Sequence, residues 1–129
     1  METLAESVPP GADGVFALVS DVMNSKRWVQ APTSFIGLDL TNPAHSGDRG
    51  QGLLVRAVQE SAAVTALGHY EILQSVGGKS ATELAFCGGA SKGRLWPQIM
   101  ADVFDLPVKV PKVKETTSLG AALCALVGV

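Results

Sequence analysis

Apolar residues fall along this chain in short runs divided by polar, glycine- and proline-rich stretches, and one long segment has helical spacing. Residues 15–19 (Val-Phe-Ala-Leu-Val) form an uninterrupted apolar run and predict a buried strand. Residues 33–40 alternate and predict a second strand, weakened in its middle by Gly37. From about residue 51 to residue 75, Leu54, Val58, Ala62, Leu67 and Leu73 share one broad stripe, with Arg56, Gln59 and Glu60 on the other side. That spacing predicts a long helix, which Gly68 would bend or split. Residues 84–87 read as another buried strand, broken at Gly88-Gly89. Residues 95–104 predict a helix with Pro97 in its first turn and Ile99, Met100 and Val103 on its apolar face. Residues 108–111 predict a short strand near a sheet edge, and residues 118–126 a last helix rich in small side chains. Residues 1–14 read as a connector, residues 42–51 as a loop, and residues 112–115 as a solvated charged loop. Lys26-Arg27-Trp28 is a basic and aromatic cluster in a further loop, read as a solvated turn with Trp28 covering the core edge. Strands alternating with helices predict an α/β fold with a partly parallel sheet.

Composition narrows the picture. The 129 residues suffice for one domain with a real core, and with 47% hydrophobic and 17% charged residues the chain reads as globular. Only seven residues are aromatic, so the core must be built from Leu, Val, Ile and Ala. A net charge of −2 gives no electrostatic case for nucleic acid or a membrane surface as partner. No stretch reads as a transmembrane span, and the first residues lack the basic region and apolar core of a secretory signal.

Candidate chemistry is sparse. Cys87 and Cys124 read as buried thiols in a reducing cytosol, and neither they nor His45 and His69 are spaced as metal ligands. Gly37-Leu38-Asp39-Leu40-Thr41 superficially resembles a phosphate loop, but Leu40 stands where the backbone needs a glycine, so Asp39 reads as structural or solvent-facing. The informative place is the strand end at Gly88-Gly89. Adjacent glycines there permit positive φ and close approach of a ligand to the main chain, and the following helix start offers free N–H groups. In α/β sheets, ligands sit beyond the carboxyl ends of strands.

Phe86-Cys87-Gly88-Gly89-Ala90-Ser91-Lys92-Gly93-Arg94-Leu95-Trp96, then Ile99-Met100-Ala101-Asp102, Leu106-Pro107-Val108 and Thr117-Ser118-Leu119-Gly120-Ala121-Ala122, resembles the C-terminal lobe of the FGGY family of carbohydrate kinases. That family's pattern runs Gly-Gly-Gly-Ala-x-Ser-x-Leu-Trp, an Ala-Asp pair, Leu-Pro-Val, then Ala-Thr-Ala-Leu-Gly-Ala-Ala. The likeness extends to residues 8–14 and the long helix, so it covers nearly the whole chain. Residues 20–24 with Arg27-Trp28, and residues 89–93, look most like the branch of the family that acts on autoinducer-2.

The resemblance implies an actin-like, ribonuclease-H-type lobe: a mixed sheet with flanking helices, cut short relative to the family. It implies that residues 1–129 are the C-terminal, nucleotide-binding domain of a longer kinase. The adenosine of ATP would lie against a backbone wall of Gly88, Gly89 and Ala90, with the helix around Gly120 packed nearby. Gly93 stands where the family has a Ser or Asn able to touch adenine, so that side-chain contact would be missing. Lys92 would face solvent, a phosphate role being the lesser reading. The first phosphate loop, the catalytic Asp and most contacts to Mg²⁺ and to a small carbohydrate or autoinducer-2-like substrate would come from an N-terminal lobe. No catalytic residue is therefore expected among these 129 residues, and they are expected to be inactive alone. A cytoplasmic location, no nucleic-acid or membrane partner, and self-association through uncovered apolar surface complete the expectation. The alternatives are a non-catalytic actin-like interaction or regulatory module, and an unrelated α/β domain whose glycine turn only packs helix on strand.

Overall fold

The computed structural model describes residues 2–19, 32–77, 79–113 and 115–128. These residues form two compact units, Met1–Ser80 and Ala81–Val129. The cluster at residues 26–28 lies outside the described residues, as do residues 20–24.

The first unit is built on one helix. In order it holds helix α1 (Glu2–Glu6), strands β1 (Phe16–Leu18) and β2 (Ser34–Ile36), and helix α2 (Gly47–Gly77). The strands pair antiparallel, with Phe16 opposite Ile36 and Leu18 opposite Ser34. The core gathers Val8, Ala12, Val15, Ala17, Leu53 and Ala57, with Val19, Leu38, Leu54 and Val58 packed at its margin. It is aliphatic, as the scarcity of aromatics requires.

Several details depart from the sequence reading. β1 is not buried on both faces: Ala17 points into the core while Phe16 and Leu18 are exposed. A two-stranded ribbon has only one helix to pack against, so its other face stays open. α2 begins four residues earlier than expected and runs unbroken through Gly68. Gly50, which reads as a loop residue, is a contact residue: a side chain there would collide with the carbonyl oxygen of His45. The buried stripe of α2 is Leu53, Arg56, Ala57 and Ala63, with Leu54 and Val58 beside it and Leu73 exposed.

The largest departure is α1, in the stretch read as a connector. Five residues cannot hold a helix by themselves. α2 holds this one. Gly52 brings the α2 backbone so close to Leu4 that any side chain would meet the Leu4 carbonyl oxygen. Arg56, expected on the solvent side, is buried because the end of α1 presents carbonyls that need donors. Its Nη1 donates to the carbonyl oxygens of Val8 at 2.9 Å and Ala5 at 3.4 Å. Its Nε donates to Glu60 Oε1 at 2.7 Å, and the same oxygen accepts the Gly11 N–H at 3.0 Å. Gly11 opens a left-handed run in which Ala12 (φ 46°) and Asp13 (φ 54°) carry side chains. Such residues are strained, and here the surrounding hydrogen bonds hold them.

The second unit is a strand–helix–strand unit followed by a helix: β3 (Leu84–Ala85), α3 (Leu95–Phe104), β4 (Val108–Lys109) and α4 (Thr116–Val127). β3 and β4 pair parallel, Leu84 with Val108 and Ala85 with Lys109. The Leu84 N–H donates to Pro107 and the Phe86 N–H to Lys109, both at 2.9 Å. α3 spans the residues expected and buries Ile99. Its last turn ends at Asp105 in the left-handed region (φ 50°). α4 buries none of its residues. Cys87 and Cys124, expected to be buried, are exposed. β3 ends before Cys87, and α4 has no covering layer over Cys124. Fold class is as expected, α/β with parallel pairing, but the described strands form two separate pairs and no common sheet.

Candidate functional site

The chain leaves β3 through Phe86 and Cys87 and turns sharply at Gly88, whose φ of 84° and ψ of −169° lie where only glycine is at ease. Residues Gly89–Lys92 then make one 3-10 turn, and Gly93 is extended (φ −85°, ψ 179°) before α3. So Gly88, Gly89, Ala90 and Gly93, the expected binding residues, lie along one continuous backbone turn.

Ser91 locks that turn. It is 1% exposed, its Oγ donates to the Gly88 carbonyl at 2.8 Å, and its own N–H donates to the same oxygen at 3.1 Å. The sequence reading missed it, although a serine three residues after a strand-ending glycine is a recognisable local-turn signal. Beside the turn, the rings of Phe86 and Trp96 meet at 6.3 Å and 52°. They link the residue that follows β3 to the first turn of α3.

The outer side of the turn is open. A side-chain carbon built on Gly88 or Gly89 would have no atom within 4 Å. The two glycines are therefore not explained by close packing of helix on strand, which is what the unrelated α/β reading requires. They present bare backbone. Gly120 likewise has open space above it, so α4 does not close the turn at that residue.

Lys92 closes the 3-10 segment, and its Nζ lies 2.6 Å from Glu115 Oε1. Glu115 directly precedes α4. The hydrogen bond from Lys92 and its positive charge hold the Glu115 carboxyl below its ordinary range. The pair is 23 residues apart in sequence, and nothing in either local pattern announces it.

Other candidate groups are otherwise employed. Asp39 Oδ1 accepts the Thr41 N–H at 2.8 Å and the Thr41 hydroxyl at 2.7 Å, a closed local turn that lowers the Asp39 pKa. That fits the structural reading of Asp39. His45 is buried, accepts the Asp39 N–H on Nδ1 at 3.0 Å, and places Nε2 3.6 Å from Asp13 Oδ2. A cavity of about 320 Å³ lies between β1 and α2, lined largely by apolar residues including Val15, Leu18 and Val64. Its only carboxylate, Glu60, is engaged by Arg56 and Gly11. Among the described residues no three His, Cys, Asp or Glu side chains lie together in a group that could hold a metal ion.

The model of the C-terminal domain of the FGGY family of carbohydrate kinases matches residues 2–129. The chain belongs to this family. An autoinducer-2 kinase from Salmonella paratyphi A is 46% identical over 129 residues, covering 100% of this chain and 24% of that protein. The autoinducer-2 kinase of Yersinia pestis (strain Pestoides F) is 44% identical over the same span and share. The crystal structure of xylulose kinase from Rhodospirillum rubrum superposes with a TM-score of 0.65 at 30% identity, over 84% of this chain and 20% of that one. This FGGY chain thus spans about a quarter of the length of the curated relatives it matches. Its mixed helix and strand order is that of an FGGY, actin-like lobe. No helix among the described residues is long and apolar enough to cross a membrane.

Proposed function

We propose that this chain is the nucleotide-binding portion of a carbohydrate kinase, and that residues 88–93 form the wall against which the adenosine of ATP lies. The observation that carries the reading is the bare turn at Gly88 and Gly89, open above both glycines and locked from beneath by Ser91, in a chain of the FGGY family. A flat stretch of backbone without side chains lets a purine approach within van der Waals distance. Ala90 adds one methyl group to that wall. Gly93 offers no side chain to the base, so recognition there falls to main-chain groups and shape. Bound ATP supplies the transferable γ-phosphoryl group. The residues of this chain orient its adenosine end and exclude water from one face.

We infer further that the acceptor is a hydroxyl of a small carbohydrate or autoinducer-2-like molecule, on the strength of the 46% identity to an autoinducer-2 kinase. Phosphoryl transfer needs a cradle for the phosphates and a base for the attacking hydroxyl. The described residues offer neither, so catalysis is assigned to the remaining length of a family-sized protein. Two exposed thiols that form no disulfide suit a reducing, cytoplasmic compartment. Incubating the purified 129-residue chain with labelled ATP, Mg²⁺ and a panel of small sugars and autoinducer-2 tests the assignment. No labelled product is expected above background. Turnover by this chain alone would overturn it.

A further inference from the structure

We propose that the Lys92–Glu115 ion pair is a strap that fixes the far end of the glycine turn, making Glu115 a positioning residue for the nucleotide. The proposal rests on the reading of residues 88–93 as the adenosine wall. The near end of the turn is secured by Ser91, which puts two hydrogen bonds on the Gly88 carbonyl. At the far end Gly93 is extended and has no side chain with which to hold the turn. Lys92 sits at that end and reaches Glu115 at 2.6 Å.

Glu115 stands at the N-cap of α4, where a carboxylate ordinarily accepts N–H groups of its own helix. Here its side chain makes no capping hydrogen bond. The carboxylate is given to Lys92 instead, at the expense of the helix. α4 buries none of its residues, so apolar packing does not fix its start either. The two charges are 59% and 62% exposed, and an ion pair so exposed adds little to global stability. A small interaction can still set the order of a short turn that needs no large energy to deform. This separates two quantities: breaking the pair should loosen residues 88–93 and leave the unfolding midpoint nearly unchanged.

The test uses Lys92→Glu, Glu115→Lys and the double exchange in the whole chain. Amide hydrogen exchange is read at Ser91 and Gly93 without nucleotide, and amide shifts are then followed on adding ATP. Each single variant is expected to speed exchange at these amides and weaken ATP about two- to fivefold, with the double exchange recovering both. Exchange unchanged in the single variants, or losses that add in the double variant, would overturn the strap. Faster exchange in the single variants with no ATP-induced shift in the parent chain would uphold the strap and defeat the adenosine reading instead.

Discussion

Gly88 and Gly89 are neighbours in sequence with different reasons to be glycine. Gly88 sits at φ 84° and ψ −169°, so Gly88→Ala forces a side chain into a glycine-only region and should cost about 1–3 kcal/mol. Faster amide exchange at Leu84 and Phe86, whose N–H groups pair β3 with β4, would report that loss. Gly89 has no positive φ, and a methyl group on it meets no atom of the chain. Gly89→Ala should leave that exchange as it is and obstruct only what lies over the turn. At Asp39 the expectation is one of pH. Its pKa is lowered from 3.8, chiefly by the hydrogen bond from the Thr41 hydroxyl. The ionised form is favoured by the fold, so the turn is fully made above that ordinary value and is lost as pH falls below it. The Thr41 amide shift, followed from pH 6 to about pH 2, should move with an apparent midpoint below the ordinary carboxylate value.

Among the elements, α1 and α3 mark what a sequence does and does not disclose. α3 was legible because its signals are local: Pro97 in the first turn, Ile99, Met100 and Val103 on one face, and Leu106-Pro107 beyond its end. α1 was not, because its stability lives in Gly52 and Arg56, about fifty residues away. An arginine on the side of a helix opposite its apolar stripe reads as solvated; only the fold shows it beneath the α1 carbonyls. Gly88, Gly89, Ala90 and Gly93 were legible as a turn, whereas Ser91 and Glu115 emerged from hydrogen bonding and ion pairing that spacing alone does not reveal. Arg56→Met should therefore destabilise the chain by about 2–3 kcal/mol, by leaving the Val8 carbonyl without this donor and the Glu60 carboxylate without its cationic partner. Urea unfolding of the variant against the parent would measure it. Gly52→Ala should loosen α1 in the same assay, since backbone lies on both sides of the contact and neither can yield cheaply.

At the scale of the whole molecule, the chain corresponds to about a quarter of its curated relatives' length, and the nucleotide wall proposed for it is the single backbone turn of residues 88–93. Exposed apolar side chains remain on both units, among them Phe16, Leu18 and Ile36 on the first and Leu123 and Leu126 on the second. Surface of that kind is what a larger assembly would cover. The account stands or falls on residues 88–93. The direct measurement is a titration of the isotope-labelled chain with ATP, reading every backbone amide, in the parent and in Gly89→Ala. The account predicts shifts concentrated at Gly88, Gly89, Ala90 and Gly93 in the parent, and their loss in the variant with its fold intact. Shifts elsewhere, such as around the apolar cavity of the first unit, or shifts indifferent to Gly89→Ala, would contradict it.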